Sequence, residues 1–253
     1  MKYFAHPITV DGTLPGRMNR ECARHKRYVW ESRGQEKDTR PMTAGDTTSA
    51  ASRLRALCVF CGSQAGREPH FRDSATVLGA ALAANGTTLV YGGGRTGLMG
   101  AVADATLAGG GQVIGVIPDF LMDKELAHTG ATELLVVPDM HTRKRLMAER
   151  AEAFCVLPGG IGTLEEFFEI ATWRQLHRHN KPIVVLNIGG YWTHLIRLFA
   201  DIIAGGFAHV GHEALITVVE DAAAVIPAVE RELAKPKPPV TLEIEGIKAF
   251  GPP

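Results

Sequence analysis

Residues 158–166, PGGIGTLEE, place three glycines, a threonine hydroxyl and two consecutive carboxylates within nine positions. An apolar run enters the segment and a helical pattern leaves it. Gly159, Gly160 and Gly162 remove Cβ atoms, so the backbone can turn tightly and touch a ligand. Thr163 adds a hydroxyl near the helix start, where free N–H groups and the helix dipole suit a phosphate. The plain alternative is a glycine turn with Thr163 as N-cap and Glu166 closing a capping box. Three glycines exceed what capping requires. A second glycine cluster, YGGGRTGLMG (91–100), satisfies G-x-G-x-x-G at Gly92, Gly94 and Gly97, and Asp119 lies 22 residues beyond Gly97. That is nominally a dinucleotide fingerprint. Its competing reading is close packing of a small-residue helix on a sheet. MHTRKR (140–145) puts three cations in one turn. Such a run is either a solvated face or a bidentate clamp for a phosphate, ribose hydroxyl or carboxylate.

Other signals are weaker. Cys58 and Cys61 are spaced C-x-x-C, but no second pair or His set follows, so zinc is not expected. Cys58 and Cys155 sit inside apolar runs and read as core. His177 and His179 flank Arg178 at a helix end, where His suits the dipole. No Walker lysine motif, H-E-x-x-H or G-x-S-x-G occurs.

The elements that must carry these motifs are legible from Leu54 onward. Apolar runs at 57–62, 87–94, 112–119, 133–140, 153–160, 181–190 and 215–220 predict seven strands. Helical spacing predicts helices over 71–86, 97–111, 141–151, 162–177, 191–206 and 221–233, the last disturbed at Pro227. Continuous apolar strands with intervening helices mean parallel strands buried on both faces. The expected fold is α/β: a single-domain, doubly wound, mostly parallel, Rossmann-like sheet with helices on both faces. Ligands in such sheets bind beyond the carboxyl ends of the strands. Five of the loops there carry the chemistry: CGSQAG, YGGGRTGLMG, PDFLMDKEL, PDMHTRK and PGGIGTLEE.

The 253 residues include 27 Lys+Arg and 27 Asp+Glu. This balance gives no bulk electrostatic case for nucleic acid or an anionic membrane. No apolar stretch approaches the roughly 20 residues that span a bilayer. MKYFAHPITVDG lacks the apolar core of a signal peptide, and four Cys do not make a disulfide scaffold, so a cytoplasmic protein is expected. Residues 1–53 show no sustained period and read as a disordered extension; residues 236–253 read as an irregular tail.

CVFCGSQAG (58–66), YGGGRTGLMG, GVIP (115–118), DMHTRK (139–144), PGGIGTLEE and TWRQLHRHNKPIVVLN (172–187) together resemble the LOG family over roughly residues 54–235. Its members are cytokinin riboside 5′-monophosphate phosphoribohydrolases. The resemblance implies a homodimer that hydrolyses the N-glycosidic bond of a nucleoside 5′-monophosphate to free base and ribose 5-phosphate. It requires neither metal nor cofactor. By motif, Arg143 and Glu166 match the catalytic pair. Glu125, Arg143, Lys144, Gly159, Gly160, Ile161, Gly162, Thr163, Leu164, Glu165 and Thr172 match substrate-contacting positions. Ser63 and Gly93 occupy matching loops. Two rivals stay open: a general AMP or nucleotide nucleosidase without a cytokinin role, and a non-catalytic nucleotide binder. Decarboxylation would need a Schiff-base lysine, and no residue marks one.

Overall fold

The computed structural model describes residues 53–208 and 215–235. The expected N-terminal extension, Arg53 excepted, and the expected tail lie outside the described residues.

Seven strands form one sheet: β1 (Ala56–Phe60), β2 (Thr88–Tyr91), β3 (Val113–Pro118), β4 (Glu133–Val137), β5 (Ala153–Val156), β6 (Ile183–Leu186) and β7 (Thr217–Val219). Six helices accompany them: α1 (Pro69–Asn85), α2 (Gly97–Ala108), α3 (Met140–Arg150), α4 (Ile161–Gln175), α5 (Thr193–Ala204) and α6 (Val225–Ala234). The strand order is β4-β3-β2-β1-β5-β6-β7, and each neighbouring pair is parallel. The α/β expectation holds.

Side chains leave a strand on alternate faces, so each central strand serves two cores. Leu57 and Val59 of β1 join a cluster with Leu78, Leu82, Val102 and Val229, from α1, α2 and α6. Cys58 and Phe60 join Met147, Phe167, Ile170 and Leu195, from α3, α4 and α5. Both clusters are apolar, which is why the middle strands read as unbroken hydrophobic runs. The outer strands depart from that expectation: Val136 on β4 and Val218 on β7 are exposed.

Local signals set the helix ends. Gly86 closes α1 in the left-handed region at φ 62°. The disturbance expected at Pro227 takes a mild form. A 3₁₀ turn spans Ala222–Ala224, and α6 starts at Val225. Pro227 therefore falls in the first turn, where its missing N–H costs no intrahelical bond.

The order of the strands places the site. From β1 the chain winds outward through β2, β3 and β4, then returns to β5 on the other side of β1. The loops after β1 and β5 leave in opposite senses and open a crevice between them, the switch point at which such sheets bind ligands.

Candidate active site

The loops after β1 and β5 run against each other, with Gly62 N–H donating to Pro158 O at 3.0 Å. Beside them lies a cavity of about 280 Å³. Ser63, Glu125, Arg143, Gly160, Ile161, Gly162, Thr163 and Glu166 line it, all expected from sequence.

α4 starts one residue earlier than its motif suggested. Gly160 is the N-cap, and no side chain caps the helix. The capping-box alternative fails on this point: Thr163 and Glu166 both lie inside α4. Leu164 N–H donates to Gly160 O, closing the first turn. The N–H groups of Ile161, Gly162 and Thr163 precede it and have no intrahelical partner, as the geometry of a helix start dictates. A Cβ built on Gly160 or Gly162 would meet nothing within 4 Å. The backbone here is bare toward the cavity, with donors free and a positive dipole end behind them.

Arg143 stands one turn into α3. Asp139 caps that helix, its Oδ1 accepting from Thr142 N at 2.7 Å, and this bond holds the Asp139 carboxyl below its usual range. Arg143 is only 4% exposed. Its guanidinium donates to Gly92 O at 2.7 Å, Val116 O at 3.1 Å and Glu125 Oε2 at 3.1 Å. A buried charge survives only with such a set of acceptors. The cation run of 140–145 is thus neither wholly a solvated face nor wholly a clamp. Arg143 is buried in the cavity wall, whereas Arg145 pairs with Glu149 on the exposed side of α3.

Glu166 makes no hydrogen bond to a described residue, unlike Arg143. Burial pushes its carboxyl up to about 7; nearby Arg143 pulls it down, while Glu165 and Glu125 add to the rise. A carboxylate poised near neutrality can exchange a proton with water or substrate at working pH.

Other expected residues lie elsewhere. Lys144 is buried against α4, paired with Glu165 and with Glu169, the latter at 3.1 Å. Burial opposes its charge, but these carboxylates outweigh it and hold its pKa above the ordinary value. Lys144 and Glu165 therefore lock α3 to α4. Gly159 lines an adjoining cavity with Phe71 and Tyr191. Gly93 packs on β3, where its Cβ would meet Ile117 at 3.0 Å; its neighbour Gly92 reaches the site cavity. Leu164 is half-buried against the α3–α4–α5 core. Thr172 lies nine positions beyond Thr163, about 13 Å along the helix, and lines a separate groove with Phe168 and Phe199.

Sequence reading missed the apolar part of the wall. Met99, Met140, Met147 and Leu121 line the cavity. Helical periodicity marks Met99 and Met147 only as core, because facing a cavity and facing a neighbour give the same pattern; Leu121 and Met140 fall in two of the loops expected at the site, but their apolar type gives no chemical signal. Cys61 also lines it, but burial pushes the Cys58 and Cys61 thiols well up, which disfavours thiolate redox chemistry. His179 is structural: burial lowers it to about 4, and its Nε2 lies 3.0 Å from Ile170 O. Among the described residues no three His, Cys, Asp or Glu side chains gather as a metal site.

A doubly wound parallel sheet, with an uncapped helix start, a buried arginine and a carboxylate raised toward neutrality at its switch point, defines a Rossmann-like protein. The family model described as possible lysine decarboxylase matches residues 99–229. A probable cytokinin riboside 5′-monophosphate phosphoribohydrolase of Oryza sativa subsp. japonica is 46% identical over 179 residues, covering 71% of this chain and 79% of that protein. The cytokinin riboside 5′-monophosphate phosphoribohydrolase of Rhodococcoides fascians is 46% identical over 193 residues, covering 75% and 97%. Among solved structures, the molybdenum cofactor carrier protein of Chlamydomonas reinhardtii is similar in fold, with a TM-score of 0.57 and 24% identity over 72% of this chain and 100% of that one. The chain belongs to the LOG family of phosphoribohydrolases.

Proposed function

We propose that this protein hydrolyses the N-glycosidic bond of a nucleoside 5′-monophosphate, releasing free base and ribose 5-phosphate. One observation carries this reading. The bare amides around Gly160 and Gly162 open on the same cavity as Arg143 and Glu166. The names of the relatives support it.

The 5′-phosphate docks on the amides at the start of α4, beside the Thr163 hydroxyl. Binding energy from this remote group orients the sugar. As the bond between ribose C1′ and the base nitrogen breaks, positive charge builds on the ribose. Ionised Glu166 stabilises that charge and takes a proton from water, whose oxygen bonds to C1′. The departing base takes up a proton from solvent, and Glu166 then returns its own proton to solvent, so water is the one co-substrate consumed. Arg143, held by Gly92, Val116 and Glu125, supplies fixed positive charge at the cavity wall. The carboxylate it pairs with is that of Glu125, so it assists Glu166 through the field and not through a shared bond. Among the described residues no lysine lines the cavity, so none of them offers a Schiff base a place to form, and the decarboxylase description finds no chemical support there.

The finer readings follow the resemblance. The protein acts as a homodimer in the cytoplasm. Exposed Phe168 and Phe207 line an apolar groove with Phe199, Ile202 and Ile203, on and beyond α4 and α5, that a second copy would cover. Thr172 lines this groove, so it reaches substrate only where a partner's cavity abuts it. Buried free thiols at Cys58, Cys61 and Cys155 accord with a reducing compartment.

Comparing kcat/KM for AMP and adenosine tests the proposal. If phosphate binding contributes about 4 kcal/mol, adenosine should be roughly 1000-fold poorer. Near-equal values would overturn the phosphate assignment. Binding of AMP with no release of base would favour the non-catalytic reading, and isopentenyladenosine monophosphate in parallel reports on cytokinin preference.

A further inference from the structure

The loop after β6 takes no part in the chemistry described so far, yet it touches the glycine segment directly. The Tyr191 hydroxyl donates to Gly159 O at 2.6 Å. The geometry that delivers it is specific. Gly189 and Gly190 take φ of 59° and 75°, which L side chains rarely adopt. A Cβ on Gly189 would also lie 2.7 Å from His70 Nε2. Buried Asn187 completes the turn, its Oδ1 accepting from Trp192 N at 2.7 Å. The Tyr191 ring is wedged edge-on against Phe71 at 5.3 Å and Trp192 at 4.7 Å. Phe71 in turn packs against the loop after β1 at Gly66. The hydroxyl is therefore held in place by three chain segments.

A trans peptide is planar, so its C=O and N–H point in opposite directions. The Gly159–Gly160 bond is trans. Anchoring Gly159 O turns the Gly160 N–H away from Tyr191. Gly160 lines the site cavity and has no Cβ neighbour to restrain it. Between two glycines this peptide plane would otherwise rotate freely, and a rotated plane presents a carbonyl to an incoming anion.

We propose that Tyr191 is a positioning residue for the phosphate site: its hydroxyl fixes the Gly159–Gly160 peptide so that the Gly160 amide stays turned toward the 5′-phosphate. This rests on the reading of the glycine segment as a phosphate cradle. The bond is formed before substrate arrives, so its contribution appears as binding affinity. It does not enter the glycosidic bond cleavage itself.

Tyr191→Phe keeps the ring and its aromatic contacts and removes only the hydroxyl. One hydrogen bond to an orienting carbonyl corresponds to about a 10-fold effect. KM for AMP should rise roughly 10-fold, and inhibition by ribose 5-phosphate should weaken by about the same factor. The kcat for AMP should stay within about 2-fold, and kcat/KM for adenosine, which lacks the phosphate, should be unchanged. A merely structural role would lower AMP and adenosine turnover together and leave their ratio intact; that outcome overturns the proposal. An unchanged KM and unchanged ribose 5-phosphate inhibition also overturn it. Should wild-type protein itself treat AMP and adenosine alike, the cradle reading falls first, and the wild-type arm alone shows this.

Discussion

Two glycine-rich loops flank the loop after β1 at the carboxyl edge of the sheet, and they use glycine for opposite purposes. In the loop after β5, the missing side chains of Gly160 and Gly162 leave open space. In the loop after β2, the protein itself occupies that space. A Cβ on Gly92 would lie 2.2 Å from Arg143 Nη2, and one on Gly97 would lie 2.4 Å from the Ser63 backbone. The first loop is left open, as the proposed phosphate cradle requires; the second is bare so that Arg143 and a neighbouring loop can fit. Glycine spacing alone does not separate a cradle from a packing joint. The atom that each absent Cβ would strike does. The G-x-G-x-x-G match at 92–97 is therefore a packing motif that shapes the wall, and its Asp119 lies at an exposed 3₁₀ turn, accepting from Phe120 N at 2.6 Å.

This contrast can be broken by substitution. Gly92→Ala should displace the Arg143 guanidinium, and with it the charge that faces the reaction. We expect kcat/KM to fall by roughly 1000-fold and stability by about 1–3 kcal/mol, the usual cost of overpacking. Kinetics alongside a urea titration would check both, and near-wild-type values in each would refute the packing role. Glu166→Gln should fold normally and lose at least about 100-fold in turnover, since charge stabilisation in a dry site is worth several kcal/mol. Near-wild-type release of base would remove Glu166 from the mechanism.

The pH dependence sharpens the assignment. With the Glu166 carboxyl near 7 and its ionised form required, kcat/KM for AMP should climb as pH rises through about 7 and then level off. A profile flat from pH 5 to 8 would exclude an ionising Glu166. The same group acts on stability with the opposite sign. Its folded-state value lies above the ordinary 4.5, so the native state binds more protons between these values and loses stability as pH rises through them. Glu166→Gln escapes that penalty. Its melting temperature should match wild type near pH 4.5 and exceed it by several degrees above pH 7, for an upper figure of about 3 kcal/mol.

The smallest expected effect is at Gly162→Ala. Nothing obstructs the methyl group, and alanine in the first helical turn should add about 0.5–1 kcal/mol. Binding should nonetheless suffer, with KM for AMP rising about 10-fold as the methyl enters the cradle. Higher stability with unchanged KM would show that the ligand does not approach this backbone.

Much of this architecture was legible from sequence because the signals are local. Unbroken apolar runs such as CVF and IVVL, punctuated by glycines, locate strands buried on both faces, and seven were found in place. The switch point was not legible. Nothing near Leu57 says that β1 pairs with both β2 and β5, since that order follows from non-local packing. The same limit separates Arg143 from Lys144: adjacent in sequence, one lines the cavity and the other is locked to Glu165 and Glu169. Tyr191 read as the opening of a helix, and α5 begins two residues later. Its role depends on a carbonyl 32 residues away.

The three acceptors around Arg143 carry a consequence for how the molecule tolerates change. Active-site groups commonly sit in place at the expense of stability, so their removal makes a protein sturdier. Glu166, half-buried without a hydrogen-bond partner among the described residues and raised toward neutrality, follows that rule. Arg143 inverts it. Deleting its side chain would strand Gly92 O, Val116 O and the Glu125 carboxylate together, and unsatisfied buried groups are costly. The two halves of the proposed catalytic pair thus pull in opposite directions under mutation. A drifting lineage could abandon Glu166 and survive as an inert, more robust fold. It could not shed Arg143 so easily, and an arginine retained at this position would therefore report on folding as much as on catalysis.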